Sequence, residues 1–473
     1  MSELHTKNRY LYISLEIFNR ELNGMLLLSL VATMRGWQVI FGGSSSILPH
    51  VGIFPSGVFL TKSSLPSDIE RVNNMRNHGH KVVSLDAEGL IPSNGESSIR
   101  IRYGEKTVKM TDRLFFWGSE QFNNATDVFP EIKKLGSVTG SPVFDYWRLL
   151  KSSHIKQKND GKKIILIATS FSYANHVLGS KQPYQAVRSA GFGITEKKYI
   201  DDMLLDGVLQ EATFPYFQSM VERLAREMPD NKIILRPHPT ENVEVWKNIA
   251  NAAENIELQC SGEICPWLLS SDIFIHFNST AAIEAKFFGK EVITFVPELE
   301  EKIEARLSSP VMRASKVCRT IDEVVIAVNQ SINNEKIENA FDLNTIIKDA
   351  SSNNITASCE NILDVLDEFE LVSQRKVFPN RLNFLFDIKA IKLKLRARAV
   401  WVVAWLDYLL NIFSGKYASM RNYYRYGKSK QGKLNKKEVY DQLKEYSRVL
   451  GIKDDELDLV ELQHNLFLLK NKV

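Results

Sequence analysis

Lys232-Ile233-Ile234-Leu235-Arg236-Pro237-His238-Pro239-Thr240-Glu241 carries an apolar run into two prolines and out into a polar, helix-like segment that continues to Trp246. Each proline fixes φ and removes a backbone donor, so a sheet ladder cannot pass through it. The apolar run therefore reads as a strand, and the prolines hold His238 in a stiff turn at its end. Open α/β sheets bind ligands in the crevice beyond the carboxyl ends of their strands. Arg236 and His238 would then sit near the start of the next helix, whose free N–H groups favour an anion. A plain strand-ending turn with a surface histidine satisfies the same local sequence, and the choice between the two falls to the rest of the chain.

Around that strand the pattern alternates. Residues 163–168 read as a strand and 197–226 as one or two long helices that end before Pro229-Asp230-Asn231. Residues 256–259, 273–276 and 292–295 read as strands, and a short helix over about 280–288 stops at Gly289, a good C-cap. This alternation begins after the polar segment 157–162, which suits a domain junction. Ahead of it, strands at 10–15, 37–41, 57–60, 81–85, 113–117 and 134–139 enclose helices at 21–35 and 67–77, with Gly42-Gly43-Ser44 as a permissive turn. Such spacing implies parallel sheets covered on both faces. The fold class is α/β: two doubly wound parallel-sheet domains facing a cleft, over 1–150 and 151–345, and a helical basic extension over 346–473.

Bulk properties agree with several domains. A chain of 473 residues exceeds the roughly 250–300 residues of a single core. Its 44% hydrophobic and 25% charged content is that of a soluble globular protein. Cys260, Cys265, Cys318 and Cys359 lack the spacing of a zinc site and read as reduced thiols. Residues 1–8 are polar and form no cationic, apolar leader, which points to the cytoplasm.

The net charge of +4 hides an asymmetry. Residues 375–437 hold 16 Lys or Arg against Asp387 and Asp407, a local balance of +14 that leaves −10 for the remainder. Within this stretch, 399–413 is apolar but shorter than the roughly 20 residues that span a bilayer. Lys389, Lys392, Lys394, Arg396 and Arg398 precede it, and Tyr417, Tyr423, Tyr424 and Tyr426 follow among further cations. A basic, aromatic flank around a short apolar helix suits docking on an anionic membrane surface, peripheral to the inner face of the cell membrane. A packed helix with solvated charges is the plainer alternative. No nucleic-acid motif accompanies the charge.

Three short constellations fall where strand ends meet the cleft. In Asp86-Ala87-Glu88-Gly89, after the strand at 81–85, a carboxylate could take a proton from an attacking hydroxyl; an acidic surface turn is the alternative. The second is the proline-flanked histidine. The third, His276-Phe277-Asn278-Ser279-Thr280, ends a strand and opens a helix, so Asn278, Ser279 and Thr280 suit a helix cap and a phosphate cradle equally.

Together the acidic-Gly loop, the His-Pro turn and the Ser-Thr pair resemble the pattern of bacterial sialyltransferases and polysialyltransferases. The resemblance implies a two-domain GT-B fold. It makes Glu88 the candidate base and His238 a donor-phosphate ligand and leaving-group stabiliser, with Ser279 and Thr280 as phosphate clamps. Arg236, Pro239 and Asn278 would join them on the donor side. Ala87 stands where that pattern has a second acid, which leaves Asp86 as a rival to Glu88.

A broader resemblance, over about 10–297, is to bacterial surface carbohydrate biosynthesis proteins. It rests on Leu15-Glu16-Ile17, Arg20-Glu21-Leu22, Pro55-Ser56-Gly57, His80-Lys81-Val82-Val83, the stretch 85–90, Thr139-Gly140-Ser141-Pro142 with Phe144-Asp145, and Ser172-Tyr173-Ala174-Asn175-His176. It implies lipopolysaccharide or capsule assembly. Glu16, Arg20 and Glu21, at the first strand-to-helix junction, become acceptor-binding candidates, and Asn175 and His176 donor-binding ones.

The expected activity is transfer of a sugar from a nucleotide donor, a CMP-linked acidic sugar of the Kdo or sialic-acid kind, to a glycan or glycolipid acceptor. Positive groups such as Arg236 would offset charge on the departing phosphate. No Asp-X-Asp pair lies at a strand end, so no metal and no cofactor is expected. The alternatives are a CDP-glycerol-type glycerophosphotransferase, a nucleotide-sugar epimerase and a non-catalytic scaffold of polysaccharide assembly.

Overall fold

The alternating apolar runs assort into two separate sheets in a computed structural model, which describes residues 9–89, 96–153, 162–188, 196–335, 341–371, 391, 395, 433–453 and 456–472. The first sheet takes β1 (Arg9–Leu15), β2 (Trp37–Gly43), β3 (Val58–Thr61), β4 (Lys81–Leu85), β5 (Arg113–Phe116) and β6 (Gly136–Val138). These six run parallel in the order β2-β1-β3-β4-β5-β6. The second sheet takes β7 (Ile164–Ala168), β8 (Lys232–Arg236), β9 (Ile256–Leu258), β10 (Ile273–His276), β11 (Glu291–Phe295) and β12 (Lys316–Cys318). It is parallel throughout, in the order β12-β11-β10-β7-β8-β9.

Side chains alternate along a strand, so a strand buried on both faces feeds two cores. In β1, Leu11, Ile13 and Leu15 join the core beneath the Phe18–Met34 helix, while Tyr10 and Tyr12 join the core on the opposite face. In β7, Ile165 and Ile167 pack under the Lys197–Glu227 helix, and Leu166 and Ala168 face the other way. That helix is one continuous element of 31 residues in spite of Pro215. A single apolar cluster joins the two units through Trp147 of the Pro142–Ser153 helix, whose ring lies 5.5 Å from that of Phe287.

The C-terminal part departs from a purely helical extension. It does carry the helices Ala357–Asp367 and Lys436–Leu450, but β13 (Leu457–Gln463) and β14 (Leu466–Asn471) follow as a hairpin. β14 pairs antiparallel with β2, so the first sheet has eight strands and is mixed. Both faces of β14 are covered: Phe467 and Leu469 join one core and Leu466 the other, all three fully buried, with Phe467 stacked 5.6 Å from Phe41. Gly42 and Gly43 belong to β2 rather than to a turn. A Cβ on Gly42 would lie 2.1 Å from the Asn465 carbonyl oxygen, so the hairpin can close only over a glycine.

Two doubly wound units sharing a core and a cleft make a GT-B-like arrangement. The segment 399–413 and most of the basic run over 375–437 lie outside the described residues, and with them the expectation of membrane docking. Among the described residues no helix is long and apolar enough to cross a membrane.

Truncating Phe467 to alanine should cost about 3–5 kcal/mol by urea unfolding, the usual range for a fully buried phenylalanine. An unchanged unfolding midpoint would mean that the hairpin is not part of the folded sheet.

Candidate functional site

Strand order reverses at two places, and each reversal opens a crevice at the carboxyl ends. In the first sheet β2 and β3 flank β1, so the crevice lies between the ends of β1 and β3. Glu16 and Lys62 are the residues that follow those ends, and they form an ion pair across it. β4 ends beside it and leads into Asp86-Ala87-Glu88-Gly89. This loop is a tight turn: the Asp86 carboxylate accepts from the Glu88 N–H at 2.9 Å, and Gly89 donates to the Asp86 carbonyl at 3.2 Å. Gly89 lies against the Trp117 indole, where a Cβ would come within 2.7 Å of the ring, so the glycine is required by close approach.

The acidic loop meets two guanidinium groups. Arg102, at the end of the Glu96–Arg102 helix, donates from Nε to Asp86 at 2.8 Å and from Nη1 to Glu88 at 2.6 Å, and pairs with Asp86 through Nη2 as well. Arg20 donates to the other Glu88 oxygen at 2.8 Å and reaches Glu21 at 3.5 Å. Glu21 in turn accepts the Glu16 N–H at 2.8 Å. The structure thus brings Glu16, Arg20, Glu21, Asp86 and Glu88 into one charged network.

Two carboxylates of that network have opposite proton affinities. Burial would raise the pKa of Glu88, but Arg102 and Arg20 outweigh it and hold the group down at about 2. Burial dominates at Glu21 and pushes it up to about 7, against the pull of Arg20. Of the two sequence candidates for a base, Asp86 is 5% exposed with both oxygens on Arg102, while Glu88 lines a cavity.

In the second sheet the reversal lies between β7 and β10. Thr169-Ser170-Phe171 follows one strand and Phe277-Asn278-Ser279-Thr280 the other. Asn278 adopts φ +41°, a left-handed value that asparagine tolerates, and its side chain accepts the Ser308 N–H at 2.9 Å. The Ser279 hydroxyl accepts from Ala281 N–H at 3.4 Å, whereas Thr280 makes no capping bond. His276 is buried, with Nε2 2.9 Å from the Ser315 hydroxyl and Nδ1 accepting from Ser279 N–H at 3.2 Å. Burial lowers its pKa to about 3 and keeps it neutral.

A cavity of about 270 Å³ occupies this crevice, lined by Ser170, Tyr173, Asn278, Thr280, Arg306 and, from the first unit, Arg102. A second of about 240 Å³ lies between the units, lined by Arg20, Glu88, Trp117, Tyr146, Glu263, Glu284 and again Thr280. Thr280 is common to both, and the Glu88–Arg102 pair puts one partner in each.

The proline-flanked histidine stands apart from these cavities. His238 and Pro239 are exposed and line neither; His238 Nδ1 lies 2.7 Å from the Thr240 hydroxyl. Arg236 is held by the loop after β9 rather than by the helix start expected for it, donating to the Ser261 carbonyl at 2.9 Å and to that of Gly262, with Glu263 and Glu284 nearby. Asn175 is buried against the same turn, donating to the Asn242 carbonyl at 3.0 Å; the His176 backbone pairs with that of Glu241 as an antiparallel bridge, and its ring accepts from Leu178 N–H. Burial depresses the His176 pKa.

Beneath the turn lies Glu241, 1% exposed. One of its oxygens accepts from the Thr169 hydroxyl at 2.6 Å, Phe171 N–H at 3.0 Å and His238 N–H at 3.2 Å. The other accepts from Trp246 Nε1 at 2.9 Å and Asn175 at 3.5 Å. Glu241, Arg102, Glu263, Glu284 and Arg306 were not singled out from the sequence. Only Glu241 had a local signal, an acid directly after the proline turn.

No family model matches the chain, and no curated protein matches it. Among solved structures, the S. aureus MnaA–UDP co-structure aligns at 13% identity and TM-score 0.45 over 78% of this chain and 98% of that one. A UDP-GlcNAc 2-epimerase from Neisseria meningitidis bound to UDP-GlcNAc aligns at 12% and 0.46 over 76% and 100%. That of Methanocaldococcus jannaschii, in complex with UDP-GlcNAc and UDP, gives 12% and 0.45 over the same shares. Similarity at this level does not extend to a ligand or a reaction.

Glu241→Gln should destabilise the protein by about 2–4 kcal/mol, because the amide turns donors toward Trp246 and Asn175 and leaves buried N–H groups unpaired. Thermal or urea unfolding reads this directly, and a shift near zero would remove Glu241 from the account. Glu88 has its folded pKa below its unfolded value, so its stabilisation is full above pH 4.5 and is lost as pH falls to about 2. Glu88→Gln should therefore lower stability near neutral pH by on the order of 2–3 kcal/mol, with the gap to the unaltered protein closing across that acid window.

Proposed function

We propose that the protein is a glycosyltransferase of cell-surface polysaccharide assembly that moves a sugar from a nucleotide donor to a glycan or glycolipid acceptor. The observation that carries this reading is the meeting of the two cavities at Thr280. A ligand in the β7/β10 crevice would have its far end at the threshold of a second compartment, and a carboxylate from the other unit lines that compartment. Two-substrate transfer needs this adjacency, since holding both reactants together supplies much of the rate gain.

The nucleotide belongs in the larger cavity. Ser170 and Thr280 hydroxyls and the Asn278 amide offer hydrogen bonds to phosphate and ribose, and the Arg102 and Arg306 guanidinium groups offer positive charge. Arg306 is held by Asp206 at 2.7 Å and Arg102 by the acidic loop, so both cations are fixed in place before a ligand arrives. Preorganised charge of this kind stabilises a departing phosphate without reorganisation. Ser279, adjacent to Thr280 in the chain, completes the donor side in this reading, while His238 keeps its place on the turn outside both cavities. The CMP-linked acidic sugar remains the favoured donor on the strength of the acidic-Gly, His-Pro and Ser-Thr pattern.

Glu88 lines the acceptor compartment and orients the attacking hydroxyl. With a pKa of about 2 it is ionised at neutral pH and accepts a hydrogen bond well, but it is far below the operating range of an efficient base. Glu21, at about 7 and joined to Glu88 through Arg20, matches that range.

Incubating the protein with CMP-, CDP- and UDP-linked sugars and following free nucleotide tests the reading. CMP release that rises with an added acceptor glycan is the expected outcome, and Thr280→Val should slow it by about tenfold or more. Release from UDP or CDP donors alone would overturn the choice of nucleotide. No release from any donor would overturn glycosyl transfer.

A further inference from the structure

The β7/β10 crevice has one wall that its own unit does not supply. Along the Lys197–Glu227 helix, Asp202, Asp206 and Gln210 recur at every fourth position and so stand one turn apart on one face. Each holds a different part of the cavity. Gln210 accepts the Tyr173 N–H at 2.7 Å in the loop after β7, Asp206 accepts from Arg306 at 2.7 and 3.3 Å, and Asp202 accepts from the Ser97 hydroxyl at 2.6 Å. Ser97 belongs to the Glu96–Arg102 helix of the first unit, so the last of these bonds fastens that helix across the cleft.

With Ser97 on Asp202, the next face of the helix meets the cavity. Ser98, Ile101 and Arg102, spaced i, i+3 and i+4, share that face, and all three line the cavity. Ile99 points away from it and packs with Tyr103 and Phe116 in a core of the first unit. Ser98 is 3% exposed, and its hydroxyl has no hydrogen-bond partner among the described residues. The Ser308 hydroxyl on the same wall is fully occluded, whereas that of Ser98 is not. Buried polar groups normally have a partner, so an unpaired hydroxyl that still opens on a cavity calls for one from a ligand.

The neighbouring groups define that ligand's chemistry. The Ser170, Tyr173 and Thr280 hydroxyls on the wall are likewise without partners among the described residues. Asp206 is the one carboxylate among the lining residues, and both its oxygens are taken by Arg306. Free hydroxyls beside fixed guanidinium groups, with the carboxylate neutralised, favour a ligand rich in acceptor oxygens, as a phosphate ester is. Arg102 stands one turn from Ser98, about 6 Å along the helix axis, so an anion drawn to that guanidinium comes within reach of the hydroxyl. We infer that Ser98 is a nucleotide-binding residue supplied by the first unit: its hydroxyl donates to a phosphate oxygen, and the Ser97–Asp202 bond positions it to do so. The nucleotide is then held across the cleft rather than by the second unit alone. This deepens the proposed function and rests on it in one respect, the placing of the nucleotide in this cavity.

Hydrogen–deuterium exchange of the full chain, with CMP, CDP and UDP each in turn at saturation, tests this. For the nucleotide that binds tightest, amides over 96–102 should slow together with those over 169–171 and 277–280. Ser98→Ala should weaken that nucleotide by about tenfold in calorimetry, a difference of about 1.4 kcal/mol, and at saturation should move the phosphorus NMR signal of the bound nucleotide. Ser97→Ala should weaken it severalfold through the lost bond to Asp202; circular dichroism confirms that each variant is folded. Protection over 169–171 and 277–280 with none over 96–102 would overturn this inference and leave the nucleotide site in place. A Ser98→Ala protein that binds as tightly as the unaltered one, or leaves the phosphorus signal unmoved, would do the same. Nucleotides that protect none of the three stretches would remove the placing of the nucleotide, and this inference with it.

Discussion

The buried carboxylate of Glu241 fixes the geometry on which the second unit's ligand face depends. It gathers five donors from three stretches of chain: Thr169 and Phe171 with Asn175 after β7, His238 after β8, and Trp246 in the helix Val243–Asn251. A charge taken out of water to 1% exposure is tolerated only when its lone pairs are satisfied, and here both oxygens are. The two prolines around His238 stiffen the turn, but the carboxylate beneath sets where it sits. Because the same residue anchors the loop that carries Ser170, it also positions one wall of the β7/β10 crevice.

The first unit uses charge differently. Its acidic loop is partly buried at the cleft, and the desolvation that would protonate Glu88 is overcome by Arg102 and Arg20. Glu21, deeper and facing a single, longer contact with Arg20, is governed by desolvation instead. Neighbouring carboxylates with proton affinities driven apart suit the roles proposed for them, Glu88 accepting a hydrogen bond and Glu21 carrying a proton. Glu263 extends the connection outward, since Asn23 joins it to Gln442 and Tyr446 of the Lys436–Leu450 helix. The C-terminal helix thereby braces the wall of the cavity between the units.

The strands at 10–15, 81–85, 232–235 and 273–276 were legible because each is a short apolar run bounded by turn residues, and their alternation with helices fixed the doubly wound topology. The acidic loop and the Ser-Thr turn were legible for the same reason, as strand ends in such a fold face the cleft. The hairpin over 457–471 was missed because its role depends on β2, far away in sequence, and on a glycine that reads equally well as a turn. Arg102, Glu263, Glu284 and Arg306 sit on helices and loops that carry no motif, and only the packing of the two units makes them one site. His238 illustrates the converse: its motif stood out, but the register of β8 and the Thr240 contact place its ring outside the cavities that the motif suggested.

The central claim is that the β7/β10 crevice and the compartment beyond Thr280 form one two-substrate site. A crystal structure of the protein with CMP tests it most directly. The nucleotide should lie between residues 169–171 and 277–280, with its phosphate beside Thr280 and Arg102 and the second compartment left open. A nucleotide seated elsewhere, such as on the exposed face of His238 away from Thr280, or lying across the compartment beside Glu263 and Glu284, would contradict it.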